Sequence, residues 1–265
     1  MKFTIITINY NNADGLRRTI ESVVNQTYTD YEYVIIDGGS TDGSVDVIRE
    51  YEDKITYWVS EKDKGIYNAM NKGVKVSHGD YLMFMNSGDV FYSYTVLEEV
   101  CAKRRKEDII VGKVHTCDGK EFLYQPQQLT MYFFYSSTIP HQGAFIKKYL
   151  LDKYPYDENL KITSDWKFFV EAVIFEDCSV GFVDTVISQF DTEGVSTTNP
   201  EQTWSEKIKV MRTIFPERVI QDFANMKKSE CLMLSLTPQL RINYSIDKIL
   251  FRIGRILLKI KTLVK

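Results

Sequence analysis

The first ninety residues alternate short, continuous apolar runs with amphipathic periods, and that alternation limits the fold more than any other feature of the chain. Residues 3–8 read as a strand with no polar face, and Leu16, Ile20, Val23 and Val24 then recur at helical spacing. Residues 33–36 form a second such run, stopped by Asp37-Gly38-Gly39-Ser40. The pattern predicts a helix over 44–52, a strand over 55–59, a helix over 66–77 and a fourth strand over 81–85. Strands apolar on both faces and separated by helices must be covered on both sides, which is the situation of a parallel sheet built from βαβ units.

From about residue 108 the pattern loosens. Residues 109–114 predict a strand, 125–140 are aromatic and irregular, and Asp165 opens a helix that places Trp166, Phe169, Val170, Val173 and Ile174 on one face. A strand over 180–190 and a loop over 191–200 follow, and the remainder predicts helix with breaks at Pro216 and near Pro238. The last twenty residues carry an apolar stripe (Ile246, Ile249, Leu250, Ile253, Leu257, Ile260, Val264) beside six basic residues and one acid. The net charge of −3 for 265 residues therefore divides into +5 for 246–265 and −8 for the rest. A basic amphipathic helix fits an anionic membrane surface, and it equally fits docking on protein. No run reaches the roughly 18 apolar residues that span a bilayer, so the expected location is cytoplasmic, at the inner face of the plasma membrane. The four cysteines form no CxxC pair and the three histidines lack ligand spacing, which argues against a zinc site or a disulfide framework. The small net charge gives no reason to expect nucleic acid.

In an open parallel sheet, ligands bind beyond the carboxyl ends of the strands. Two oxygen-rich turns fall there: Asp37 to Ser44 after the second strand, and Asn86-Ser87-Gly88-Asp89 after the fourth. A carboxylate at the second turn suits a hard divalent cation bridging diphosphate oxygens. Asp-Gly turns also follow strands for purely structural reasons, and Asp37 stands beside that alternative.

Taken together, these segments resemble family 2 glycosyltransferases of the GT-A fold, of the bacterial surface-polysaccharide type. The resemblance rests on residues 4–11 and 22–27, on the 37–44 turn, which is similar to the family's Asp-Asp-Gly-Ser-Thr-Asp-Gly-Ser, on residues 64–73, and on Asn86 to Asp89 in the place of its Asp-x-Asp motif. Downstream, Ser164-Asp165-Trp166 lies where the family carries its catalytic acid residue, and His141-Gln142 and Gly194 to Ser196 look like features of polysaccharide-building members. The implied architecture is α/β: a Rossmann-like, mostly parallel central sheet flanked by helices. It comprises a 1–200 GT-A domain (1–92 nucleotide-sugar half, 93–200 acceptor half) and a 201–265 helical appendage. Two departures stand out. Gly38 replaces a second Asp, and Asn86 and Gly88 replace acids at the metal motif.

The resemblance implies an inverting transfer from a nucleotide-diphosphate sugar, most simply a UDP-sugar, to a saccharide or lipid-linked acceptor. Asp165 would be the base, or alternatively only a helix cap together with Ser164. Thr7, Asn9, Asp37, Lys64, Asn71, Asn86 and Ser87 would line the donor, and Asp89 would hold a weakly bound Mg²⁺ or Mn²⁺. His141 and Trp166 would touch donor or acceptor, or serve structure alone. The missing acids motivate a competing expectation, a nucleotide-sugar-binding module without transfer activity. A nucleotidyltransferase is the third, and it lacks the basic Gly-rich loop it would need early in the chain.

Overall fold

The computed structural model describes residues 2–116, 121–122, 128–190 and 199–229. The chain divides into two compact units, Met1–Val210 and Met211–Lys265. The basic stripe over 246–265 lies outside the described residues.

The expected βαβ series is present. Strand β1 (Phe3–Asn9) is buried along its whole length, as is β2 (Tyr31–Asp37) after its first residue. They pair in parallel, and β3 (Tyr57–Ser60) and β4 (Tyr81–Phe84) join them in the order β3-β2-β1-β4. Helices α1 (Ala13–Val24), α2 (Ser44–Glu50) and α3 (Ile66–Val76) make the crossovers. Asn12 starts α1 by accepting the Gly15 amide at 3.1 Å, a cap that satisfies one of the helix's unpaired donors. The third strand begins two residues later than the apolar run suggested, because 52–54 wind into a 3₁₀ turn.

The second half contains elements that the irregular pattern hid. These are β5 (Val90–Phe91), α4 (Val96–Ala102), β7 (Glu121–Phe122), α5 (Met131–Ser136), β8 (Ala144–Lys147) and α6 (Lys148–Lys153); among them lies β6 (Ile109–Thr116), the strand expected over 109–114. Then come α7 (Ser164–Val170), which continues as a π-helical turn over Glu171–Phe175, β9 (Val180–Phe190) and α8 (Pro200–Ile214). The sheet extends as β4-β8-β6-β9-β5, with β7 on β6. Strands β6 and β9 run with the first four, while β5, β7 and β8 run against them. The result is the expected α/β sheet, mostly parallel and covered by helices.

Phe3, Ile5, Leu16, Ile20, Tyr33, Ile35, Ile48, Met83 and Phe145 share one core on the α1–α2 side. On the other face α3 approaches closely at Gly73, where an added Cβ would lie 2.5 Å from Ile6 Cγ2. The register sets Asn9 beside Asp37 and Asp37 beside Ser60. Past the end of β4, the Met85 and Ser87 amides still donate to Ile6 and Ile8 carbonyls at 2.9 and 3.0 Å. That pairing carries residues 85–89 to the same edge.

Candidate active site at the carboxyl edge of the sheet

Two carboxylates dominate this edge, and their surroundings differ. Asp37 is fully buried. Its Oδ1 accepts from Asn9 Nδ2 at 2.7 Å and Ser40 Oγ at 2.6 Å. Its Oδ2 accepts from Ser60 Oγ at 2.6 Å and from the Ser40 and Gly39 amides at 2.9 and 3.2 Å. Burial alone would raise its pKa, but the bonds from Ser40, Ser60 and Asn9 outweigh it and hold the group below the usual carboxylate range. Gly39 closes this turn at φ +80°, a conformation that glycine adopts without strain. With both oxygens engaged, Asp37 ties three strand ends together.

Asp165 sits in the first turn of α7 and is looser. Tyr67 OH donates to its Oδ1 at 3.3 Å, and His141 Nδ1 lies 3.3 Å from its Oδ2. As oriented, Asn86 Nδ2 has only hydrogens to offer His141 Nε2, 3.2 Å away. With the amide in that orientation, the Nδ1–H tautomer is the one that pairs both ring nitrogens. These contacts are longer than the roughly 2.7–2.9 Å of strong charge-assisted bonds, so neither Asp165 oxygen is saturated. The Tyr67 phenol is raised well above its ordinary pKa, by burial first and then by Asp165. It donates at neutral pH and does not compete as a base. Position Thr163 starts α7 without a side-chain cap, which removes capping as the role of Asp165. The Ser164 hydroxyl instead accepts the Asp157 amide at 2.6 Å.

Two polar atoms near this cluster are buried without a hydrogen-bond partner, Asn86 Oδ1 and Asn9 Oδ1. Unpaired buried acceptors are costly, about 1–3 kcal/mol each, and at a ligand-binding edge they await a donor or a cation. Asp89 is 6% exposed, and Thr19 Oγ1 anchors its carbonyl at 2.7 Å. Asn12 Nδ2 contacts the carbonyl and hydroxyl of Ser87 at 3.2 and 3.4 Å. Among the described residues no three His, Cys, Asp or Glu side chains converge on a metal position. The turn after β4 carries one carboxylate, Asp89, and one side-chain amide, Asn86. Such a set fits a Mg²⁺-like ion held mainly by substrate phosphates.

Several expected site residues are engaged elsewhere. Thr7 is fully buried and its hydroxyl pairs with Tyr33 OH at 3.0 Å, inside the sheet and away from the edge. The Asn71 amide is spent on the Tyr156 carbonyl and amide and on Glu158, at 2.8–3.0 Å, so it binds α3 to the 156–158 loop. Trp166 is 3% exposed, donates to the Phe134 carbonyl at 2.8 Å, and has Lys207 Nζ 4.8 Å from its ring centroid. Neither face is open for sugar stacking. Lys64 is exposed at the start of α3, where its amide donates to Asn68 Oδ1 at 3.1 Å.

The sequence reading missed three residues here. Tyr67 lies within the 64–73 motif and could have been noticed as its one aromatic. Asp63 and Tyr10 carry no pattern of their own. A Cβ on Gly38 would meet Asp63 Oδ2 at 2.5 Å and Tyr10 Cδ2 at 3.1 Å. An Asp63 carboxylate from the β3–α3 loop thus stands beside the position where the family's second Asp is absent, next to the exposed ring of Tyr10.

Comparison with known proteins agrees with the architecture. An uncharacterized glycosyltransferase of Mycobacterium tuberculosis (strain ATCC 25618 / H37Rv) is 32% identical over 200 residues, covering 72% of this chain and 76% of its own. A PGL/p-HBAD biosynthesis glycosyltransferase of Mycobacterium bovis (strain BCG / Pasteur 1173P2) is 26% identical over 199 residues, covering 72% and 77%. Residues 1–349 of S. aureus TarS, in complex with UDP-GlcNAc, superpose with a TM-score of 0.65 at 20% identity, over 81% of this chain and 65% of that one. The match spans 37% of the longer TarS chain. The mannosyltransferase PcManGT of Pyrobaculum calidifontis, in complex with GDP-Man and Mn²⁺, gives 0.54 at 16% identity, over 71% and 56%. These likenesses establish the fold. The expectation of a mere binding module gives way to an enzyme, because residues 4–166 match the pattern of a transferase family. The chain belongs to glycosyl transferase family 2.

Proposed function

We propose that the enzyme is an inverting glycosyltransferase using Asp165 as its base, with a UDP-sugar as donor and a saccharide or lipid-linked hydroxyl as acceptor. The observation that carries this reading is the convergence of Tyr67 and His141 on Asp165, with Asn86 on the far nitrogen of His141, around a carboxylate held in place yet not saturated. Asp165 takes the acceptor hydroxyl proton as that oxygen bonds to the anomeric carbon. The bond from that carbon to the diphosphate breaks in the same step, and the nucleoside diphosphate leaves with the electron pair. A single in-line displacement inverts the anomeric centre. His141, donating from Nδ1, orients the carboxylate and stabilises its charge. A bound Mg²⁺ or Mn²⁺ supplies charge neutralisation to the leaving diphosphate, and Asp89 and Asn86 Oδ1 are the residues that would hold it.

For the nucleobase, Tyr10 and Asp63 replace Asp37 as the recognising pair, since Asp37 has no oxygen to spare. An exposed aromatic ring beside a carboxylate suits a base that offers an N–H, as uracil does. The binding of UDP-GlcNAc by a protein of the same fold supports a UDP donor. The basic, apolar-striped sequence over 246–265 supports action at an anionic membrane surface. Thermal shift with UDP-GlcNAc, UDP-glucose, GDP-mannose and free UDP, each with and without Mn²⁺, tests the donor. UDP compounds are expected to raise Tm, and more so with Mn²⁺. Stabilisation by GDP-mannose alone would contradict the assignment.

A further inference from the structure

Helix α8 lies beyond the family match, which ends at residue 166, yet two of its consecutive side chains hold the segment that carries Asp165. Glu206 Oε1 accepts the Lys161 amide at 2.8 Å. Its Oε2 accepts the Ile162 amide at 2.8 Å, the Thr163 amide at 2.9 Å and the Thr163 hydroxyl at 3.0 Å. One carboxylate thus fixes three successive peptide units immediately before α7. Burial raises the Glu206 pKa, but those backbone bonds outweigh it and keep the group ionised. Lys207, 7% exposed, reaches the other side of the same segment. Its ammonium donates to the Ser137 carbonyl at 2.9 Å and sits 4.8 Å from the Trp166 ring centroid. Trp166 in turn is pinned to α5 through the Phe134 carbonyl, and Trp204, one turn earlier on α8, packs edge-on against Tyr135. Asp165 therefore stands between a backbone held by Glu206 and a ring held by Lys207.

We propose that Glu206 and Lys207 are positioning residues that set the place of Asp165 relative to His141 and Tyr67, an inference that rests on Asp165 being the base. A buried lysine is a poor choice for stability alone: burial lowers its pKa to about 7, with Asp165 pulling the other way. Its placement makes sense as a fixed strut whose loss leaves the fold intact and displaces the reacting carboxylate. A displacement of about 1 Å at a reacting group costs on the order of 100-fold in rate.

The test compares Glu206→Ala, Glu206→Gln, Lys207→Met and Asp165→Asn with the unmodified enzyme. Turnover is read as UDP released from UDP-GlcNAc, binding as the calorimetric Kd of UDP, and order as amide hydrogen exchange over 157–166. Glu206→Ala is expected to lower kcat roughly 10- to 100-fold, to leave the UDP Kd within about twofold, and to speed exchange at 161–163 while the sheet amides stay protected. Glu206→Gln keeps one acceptor oxygen and restores part of kcat; it also serves if the alanine variant is poorly soluble. Lys207→Met lowers kcat without lowering Tm at pH 7. Free exchange at 161–163 with undiminished kcat would overturn the proposal, as would parallel losses of Tm and UDP binding. Full turnover by Asp165→Asn would instead remove the base assignment, and the clamp's purpose with it; loss there with unchanged kcat in the Glu206 and Lys207 variants would remove the clamp alone.

Discussion

Asp37 and Asp165 show how environment assigns different work to the same side chain. Five donors at 2.6–3.2 Å surround Asp37, so Asp37→Asn is expected to cost about 3 kcal/mol of stability, since hydrogen bonds to charged groups contribute roughly 1.5–3 kcal/mol each. Calorimetry should show Tm lower by roughly 5–10 °C. Lys207 gives a prediction of opposite sign. Its pKa falls from 10.5 in the unfolded chain to about 7 in the fold, so between about pH 7 and pH 10 the unfolded state binds more protons and folding stability gains with rising pH. Relative to Lys207→Met, the unmodified protein should gain about 1.4 kcal/mol per pH unit across that window. Denaturant titrations of both proteins at pH 7, 8 and 9 measure it; parallel curves would mean that the ammonium is not desolvated. The positions of Asp37 at a strand end and Asp165 at a helix start were legible in the sequence. Their separate roles were not, because these depend on Ser60 and His141, which lie 23 and 24 residues away from them.

At the scale of elements, α3 links the fold to the site. Its sheet-facing side meets β1 at Gly73, while Tyr67 reaches Asp165 and Asn71 holds the 156–158 loop. Gly73→Ala would bring a Cβ to 2.5 Å from Ile6 Cγ2. The helix must then lift from the sheet, at about 1–3 kcal/mol, typical of an overpacked core. Urea denaturation checks the stability, and turnover should fall with it because Tyr67 moves with the helix. The first four strands and their crossovers were readable since each strand is a mostly apolar run followed by a helical period. Strands β5 and β8 and helices α4 to α6 were not, because two- to seven-residue elements fall below the window in which periodicity can be measured. Glu206 and Lys207 gave no signal either: charged neighbours on a helix look like a solvated face until tertiary structure shows one accepting four bonds and the other covered.

For the whole molecule, the uneven charge separates the body from its end. No helix among the described residues is long and apolar enough to cross a membrane, and the +5 stripe over 246–265 is the segment suited to lie on one. Removing residues 246–265 should release the protein from vesicles containing anionic lipid and leave UDP binding unchanged; sedimentation with vesicles reads the first and calorimetry the second. In the proposed transfer, the reacting carboxylate is Asp165. The most direct measurement is turnover of Asp165→Asn set beside its nucleotide affinity. Loss of at least about 100-fold in kcat, with UDP affinity and Tm held near those of the unmodified enzyme, is the predicted result. Turnover within about twofold of the unmodified enzyme would contradict Asp165 as the base.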